Sequence, residues 1–181
     1  MGDDKSSDNE QGSQLQTNTM AENGSTPSQV VTALQRTHPE WITEIREALS
    51  EVTAIVPREH IVSVCTELKS NGGFNFLADL CGADRGLEEE PRFEVNYHLF
   101  STTRYQRLRL KVLVGEDDAH VPTVTSVWRT ANWHERETYD LFGIIFDGHP
   151  DLRRILLPDD WQGYALRKDF PLRGYEPYSL K

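Results

Sequence analysis

The chain has 181 residues, 37% of them hydrophobic, and a formal net charge of −10 at pH 7. That length accommodates one domain with a sizeable core and perhaps a tail, and would leave a second full domain cramped. The acidic balance disfavours DNA or RNA as a partner, because a nucleic-acid reader presents a basic face that releases counterions.

Residues 1–27 are rich in Ser, Asn, Gln, Asp and Gly, and contribute −4 of the charge through Asp3, Asp4, Asp8, Glu10 and Glu22 against Lys5. With no hydrophobic period they cannot offset the entropy of ordering, so a disordered acidic tail is expected. The first residues lack the basic and apolar regions of a secretory signal, and an arginine-rich presequence is missing too. No run approaches the ~20 apolar residues that span a bilayer. The expectation is a soluble, cytosolic, bacterial chain.

A short helix is predicted at about residues 28–37, where Val30, Val31 and Leu34 recur at helical spacing before Pro39. In the stretch from Trp41 to Val56, Ile42, Ile45 and Leu49 suit a helix while Val52, Ala54 and Val56 alternate; a strand hairpin is expected. Pro57 starts an amphipathic helix to about 70, with Ile61, Val64, Cys65 and Leu68 on one side, and Asn71-Gly72-Gly73 stops it. Cys65 and Cys81 have no companion cysteine, so neither a zinc ribbon nor an iron–sulfur cluster is expected from this chain alone. Both are expected to be small buried thiols in a reducing compartment.

Three strands follow, near 74–83, 92–101 and 104–114. Val95, Tyr97 and Leu99 alternate with Glu94, Asn96 and His98, and Leu108, Leu110, Val112 and Val114 with Arg107, Arg109 and Lys111. A turn centred on Thr102-Thr103 would set Glu94 opposite Lys111 and His98 opposite Arg107. A polar loop at 115–122 then leads to a helical region from about 123 to 142. The rest carries many prolines and glycines and no long period, which predicts an extended segment, 143–181, that wraps a partner.

The most informative stretch is residues 131–175, where Trp133, Tyr139, Phe142, Phe146, Trp161, Tyr164 and Phe170 are interleaved with charges. Aromatic anchors with Arg are what stable protein interfaces concentrate. HERET at 134–138 is a near miss to a zinc-protease helix, but the second histidine is absent at the required spacing. Arg136 and Asp140 stand four apart and are expected to pair with each other along the helix. No Gly-rich phosphate loop or dinucleotide fingerprint occurs, so Arg153, Arg154, Arg167 and Lys168 are better suited to carboxylates across an interface than to a nucleotide. Gly148-His149-Pro150-Asp151 is expected to be a turn, the alternative being a histidine that donates a proton to a quinone.

Glu135, Arg136, Glu137, Asp140, Leu141, Phe142 and Gly143, then Gly148, His149, Pro150, Arg153, Arg154, Ile155 and Leu156, followed by PDDW and LRKDFPLRGY, resemble the signature of the complex I 30 kDa subunit family. Members of that family are also called the C-type subunits of NADH-quinone oxidoreductases. The resemblance reaches back through PREHI, FNFLADL, RFEVNYHL and RLRLKV to cover roughly residues 30–175. It departs at Ala165, where the family commonly has proline, and in the tail at 1–27.

The resemblance implies an α+β fold, a mixed β-sheet flanked by helices over residues 28–142, with an irregular C-terminal extension lying along other subunits. It implies a peripheral-arm subunit of a proton-translocating NADH:quinone oxidoreductase, bound peripherally on the cytoplasmic side of the bacterial inner membrane. Other subunits of the complex are the expected partners, especially the D-type subunit, which builds the quinone site, and the B-type and I-type subunits. NADH, FMN, iron–sulfur clusters and quinone would be bound by or shared with those partners, none by this chain alone. The positions that match the motif, and are therefore expected at a partner interface, are Trp133, Glu135, Arg136, Glu137, Asp140, Phe142, His149, Arg153, Arg154, Trp161, Arg167, Lys168 and Asp169. No catalytic, cofactor-binding or metal-ligating residue is expected. Two alternatives stay open: the equivalent subunit of a membrane-bound hydrogenase or other quinone-linked dehydrogenase, and a free-standing metal-dependent hydrolase built on the acid and histidine cluster.

Overall fold

The structure is a computed structural model that describes residues 24–174; most of the expected acidic tail lies outside the described residues. Helix α1 (Pro27–Thr37) begins where Thr26 accepts a hydrogen bond from the Gln29 amide and the Gln29 side chain accepts one from the Thr26 amide. Such a reciprocal cap satisfies two amides that the first helical turn leaves open. Val30, Val31 and Leu34 face the core, as their spacing predicts.

The expected hairpin is present as β1 (Glu44–Ala48) and β2 (Glu51–Ile55), paired antiparallel. Its two-residue turn puts Leu49 and Ser50 at φ 51° and 65°, the doubly left-handed geometry that matches strand twist. A 3-10 turn (Arg58–His60) after Pro57 leads into α2 (Ile61–Ser70), which buries Ile61, Val64, Cys65 and Leu68. Burying each of the aliphatic side chains among them is worth ~1.5–3 kcal/mol.

From α2 the chain enters a meander of β3 (Phe76–Asp84), β4 (Phe93–Ser101) and β5 (Gln106–Val114), and β5 returns to pair in parallel with β2. The five-stranded mixed sheet has the order β1-β2-β5-β4-β3. One face buries Val95, Tyr97, Leu99, Leu108, Leu110 and Val112 against the helices. On the other face Glu94, His98, Arg107, Arg109 and Lys111 meet solvent in varying degree, and Phe76 and Phe100 flank a recess of about 240 Å³.

The β4–β5 register differs from the one expected. His98 lies opposite Arg109, Phe100 opposite Arg107 and Asn96 opposite Lys111. The connection is four residues, Thr102 to Tyr105, rather than a two-residue turn, and Tyr105 takes a positive φ of 54° as its amide donates to the Ser101 carbonyl. The two extra residues shift every pair by two positions and so preserve the face of each side chain. Glu94 and Lys111 still meet, as a diagonal pair at 2.7 Å.

A short strand β6 (His120–Pro122) precedes helix α3 (Ala131–Phe142), after which β7 (Ile145–Asp147) pairs in parallel with β6. The helix starts eight residues later than expected, because the Thr123 hydroxyl and the Val124 amide turn toward the Glu135 carboxylate instead of entering a helix. The expected boundary at 142 does not end the folded domain either, since Ile144 and Phe146 are core residues. Among the described residues no helix is long and apolar enough to cross a membrane.

Candidate functional site

The segment 143–174 lies back on α3 and on the β3 edge of the sheet, and it is held there by the residues that dominated the sequence pattern. Gly143 makes the turn possible. It sits at φ 75° as the helix cap, and a Cβ there would meet the Tyr164 ring at 2.4 Å, so neither the conformation nor the space admits a side chain.

Asp140, fully buried, is the first anchor. One carboxylate oxygen accepts the amides of Ile155, Leu156 and Leu157 at 3.0, 2.8 and 2.8 Å, and the other accepts Arg154 at 2.6 Å. Burial pushes its pKa up, but these donors win and hold it below the usual carboxylate value. Arg154 also donates to the carbonyls of Trp161 and Gly163 and lies over the Tyr164 ring. The expected Arg136–Asp140 pair is not formed: Arg136 instead donates to the carbonyls of Arg153 and Arg154. Arg136 and Asp140 are both used to hold an irregular strand that has no ladder of its own.

Arg92 is the second anchor, and nothing in the sequence pattern singled it out. Only 3% exposed, its guanidinium meets Asp84 at 2.7 Å, Glu116 at 2.6 Å and Asp169 at 2.6 Å. Asp84 also accepts the amides of Lys168 and Gly86. Burial raises the Asp84 pKa, yet the Arg92 bonds and these amides bring it down to about 2. Arg167 stacks between the rings of Phe93 and Tyr164, at 4.9 and 4.7 Å, and donates to the Phe142 carbonyl. The clue available in the sequence was Arg92 beginning a strand behind the run Glu88-Glu89-Glu90-Pro91.

Glu135 and His149 form a third, enclosed cluster. Glu135 accepts from the Thr123 hydroxyl at 2.5 Å and the Val124 amide at 2.8 Å, and burial pushes its pKa up to about 7 against those two bonds. The His149 ring accepts the Asp151 amide at one nitrogen, which leaves the other to donate to the Asn132 carbonyl at 3.2 Å. That assignment fixes a neutral tautomer, 4.0 Å from Glu135, with both side chains fully enclosed. The expected turn at Gly148 to Asp151 is formed, with Gly148 at φ 80°.

The thirteen residues expected at an interface therefore divide. Glu135, Arg136, Asp140, Phe142 and the His149 ring are buried within the chain and cannot present their side chains to another protein in this arrangement. Arg154, Trp161 and Arg167 are half-buried, whereas Trp133, Glu137, Arg153, Lys168 and Asp169 are exposed. Trp133 is 62% exposed and borders an open groove of about 570 Å³ with Arg129, Asn132 and Pro150. Ile145, Leu156, Leu166 and Leu172 add exposed apolar side chains along the same stretch. The cysteines divide too: Cys65 is buried as expected, but Cys81 is exposed.

Residues 54–176 match the family model described as the respiratory-chain NADH dehydrogenase 30 Kd subunit. The chain is 55% identical over 123 residues to a C-type NADH-quinone oxidoreductase subunit of Rhizobium meliloti (strain 1021), covering 67% of this chain and 66% of that protein. It is 47% identical over 161 residues to the C-type NADH-quinone oxidoreductase subunit of Geotalea uraniireducens (strain Rf4), covering 88% and 95%. Its fold is similar to that of a trypsin-resistant fragment (1-134) of Nqo5, with a TM-score of 0.61 at 38% identity over 70% of this chain and 100% of the fragment.

Proposed function

The chain belongs to the respiratory-chain NADH dehydrogenase 30 Kd subunit family, and from that premise we propose that it works as a scaffold in the peripheral arm of an NADH:quinone oxidoreductase. It takes no chemical step itself. Its share is to hold neighbouring subunits in register, since electron transfer and quinone reduction depend on geometry. The D-type subunit at the quinone site is the nearest partner in this reading, with the B-type and I-type subunits beside it. NADH, FMN, iron–sulfur clusters and quinone are bound by or shared with other subunits of the complex, and the whole assembly moves protons from the cytoplasmic side of the inner membrane.

The observation that carries the reading is how the C-terminal block uses its polar groups. Asp140, Arg136, Arg154, Arg92 and Arg167 fold the segment onto its own domain, and this leaves Trp133, Ile145, Leu156, Leu166 and Leu172 on the outside. A rigid backing that presents separated apolar anchors, with an aromatic at a groove, is the anatomy of a docking surface. The acid and histidine cluster gives the hydrolase reading no support, because Glu135 and His149 are enclosed and have their hydrogen-bonding atoms engaged.

Gentle extraction of membranes carrying this chain with an N-terminal tag provides the test. NADH:quinone reductase activity and iron–sulfur absorbance are expected to co-purify with it. Replacing Trp133 and Leu166 together by alanine is expected to abolish co-purification while leaving the circular dichroism of the isolated chain unchanged. A lone, colourless chain recovered from membranes with full reductase activity would overturn the assignment.

A further inference from the structure

The open face of the sheet carries a side-chain cluster that the scaffold reading does not use. On β3 and β4, Asp79 lies directly opposite His98, and Cys81 is opposite Asn96. Asp79 and Cys81 are two apart, so they share a face, and His98 completes a triangle across the strand pair. A bulge at Ala78 shifts the register just before Asp79 and turns the carboxylate to that face. One carboxylate oxygen, the thiol sulfur and one ring nitrogen all lie within 4.8 Å of one another. From α3, the His134 Nδ1 reaches the Asp79 carboxylate at 3.4 Å.

We propose that Asp79, Cys81 and His98 form a binding site for a divalent ion of the zinc class, with His134 orienting the Asp79 carboxylate from behind. Thiolate, imidazole and carboxylate are the ligand set that a borderline-soft ion accepts, at bond lengths of about 2.0–2.3 Å. Tetrahedral ligands at those lengths stand about 3.3–3.8 Å apart, so closing the triangle takes ~1 Å of movement by side chains at the surface. Charge favours a cation. Glu94 and Glu137 stand near the Cys81 sulfur in addition to Asp79, with Arg109 the opposing charge. On binding, the thiol proton passes to solvent, and thiolate plus carboxylate neutralise the ion. A fourth position stays open to water. The His134–Asp79 contact, at 3.4 Å, is the kind of outer-shell approach that orients a ligand.

The test is a titration of the untagged full-length chain with Co²⁺, followed by competition with Zn²⁺. One equivalent of Co²⁺ is expected to give a thiolate-to-cobalt charge-transfer band, and one equivalent of Zn²⁺ to remove it. Cys81→Ser is expected to abolish the band, and Cys81→Ser and His98→Ala each to weaken Zn²⁺ binding by about tenfold or more, the loss that even outer-shell partners cause. His38→Ala, at a half-buried histidine just after α1, is expected to change neither. Because Cys81 is exposed, its serine variant should fold, which circular dichroism checks, and it decides the matter even if His98→Ala does not fold. No band at one equivalent, unaltered binding by Cys81→Ser, or an equal loss in His38→Ala would each overturn the site.

Discussion

The β4–β5 hairpin and the block from 131 to 174 are both rich in charged residues and use them in opposite ways. In the hairpin, Glu94, Arg107, Arg109 and Lys111 point away from the core, and the pairing is held by the apolar ladder on the other face. In the block, Asp140, Arg154 and Arg136 are turned inward and replace a ladder, because the strand they hold has no neighbour to supply backbone partners. A charge in the first setting is screened and worth little, whereas in the second its loss leaves several buried groups unpaired.

That contrast can be broken at its strong end first. Asp140→Ala is expected to destabilise the chain by ~3–5 kcal/mol, since it strands three amides and a guanidinium; urea denaturation and faster proteolysis after Ile155 would report it. Arg92→Met should cost about 3 kcal/mol by leaving Asp84, Glu116 and Asp169 without their shared cation. It should also alter the acid limb. The lowered Asp84 pKa contributes stability that is complete above its ordinary value of 3.8 and is lost as the pH falls through about 2, so thermal melts of the variant should show a flatter decline across that window.

Glu135 works in the other direction. Its pKa is raised from 4.5 to about 7, so the unfolded chain ionises first and stability declines as the pH rises between those values. Glu135→Gln is expected to remove that slope and to gain on the order of 3 kcal/mol at pH 8 over its own difference at pH 4. At the weak end, Lys111→Ala, which cuts the half-buried diagonal pair with Glu94, should cost about 1 kcal/mol. A loss as large as that of Asp140→Ala would abolish the contrast between the two regions.

How far the sequence could be read follows the same division. Alternation along β4 and β5 and the helical spacing of Val30, Val31 and Leu34 are local signals, and the elements they predicted are present. Register was lost at a single point, because the positive φ of Tyr105 in a four-residue connection leaves no mark in composition. Around the candidate site the right stretch was legible but not the roles of its charges. Arg136 and Asp140 are neighbours on the helix, yet each has a better partner more than a dozen positions downstream. Arg92 went unnoticed because Glu116 and Asp169 are far along the chain, and spacing rules extend over only a turn or two of helix.

Order of synthesis gives the Arg92 cluster a further meaning. Asp84 precedes Arg92 by eight residues, but Asp169 follows it by 77. A nascent polypeptide can complete β1 to β5 and still lack two of the three carboxylates that Arg92 meets, Glu116 and Asp169. Closure of that cluster must wait until the chain has been synthesised as far as Asp169, as contacts of high sequence separation do. Copies that stop short of Asp169 would leave Arg92 without one of the three carboxylates it meets.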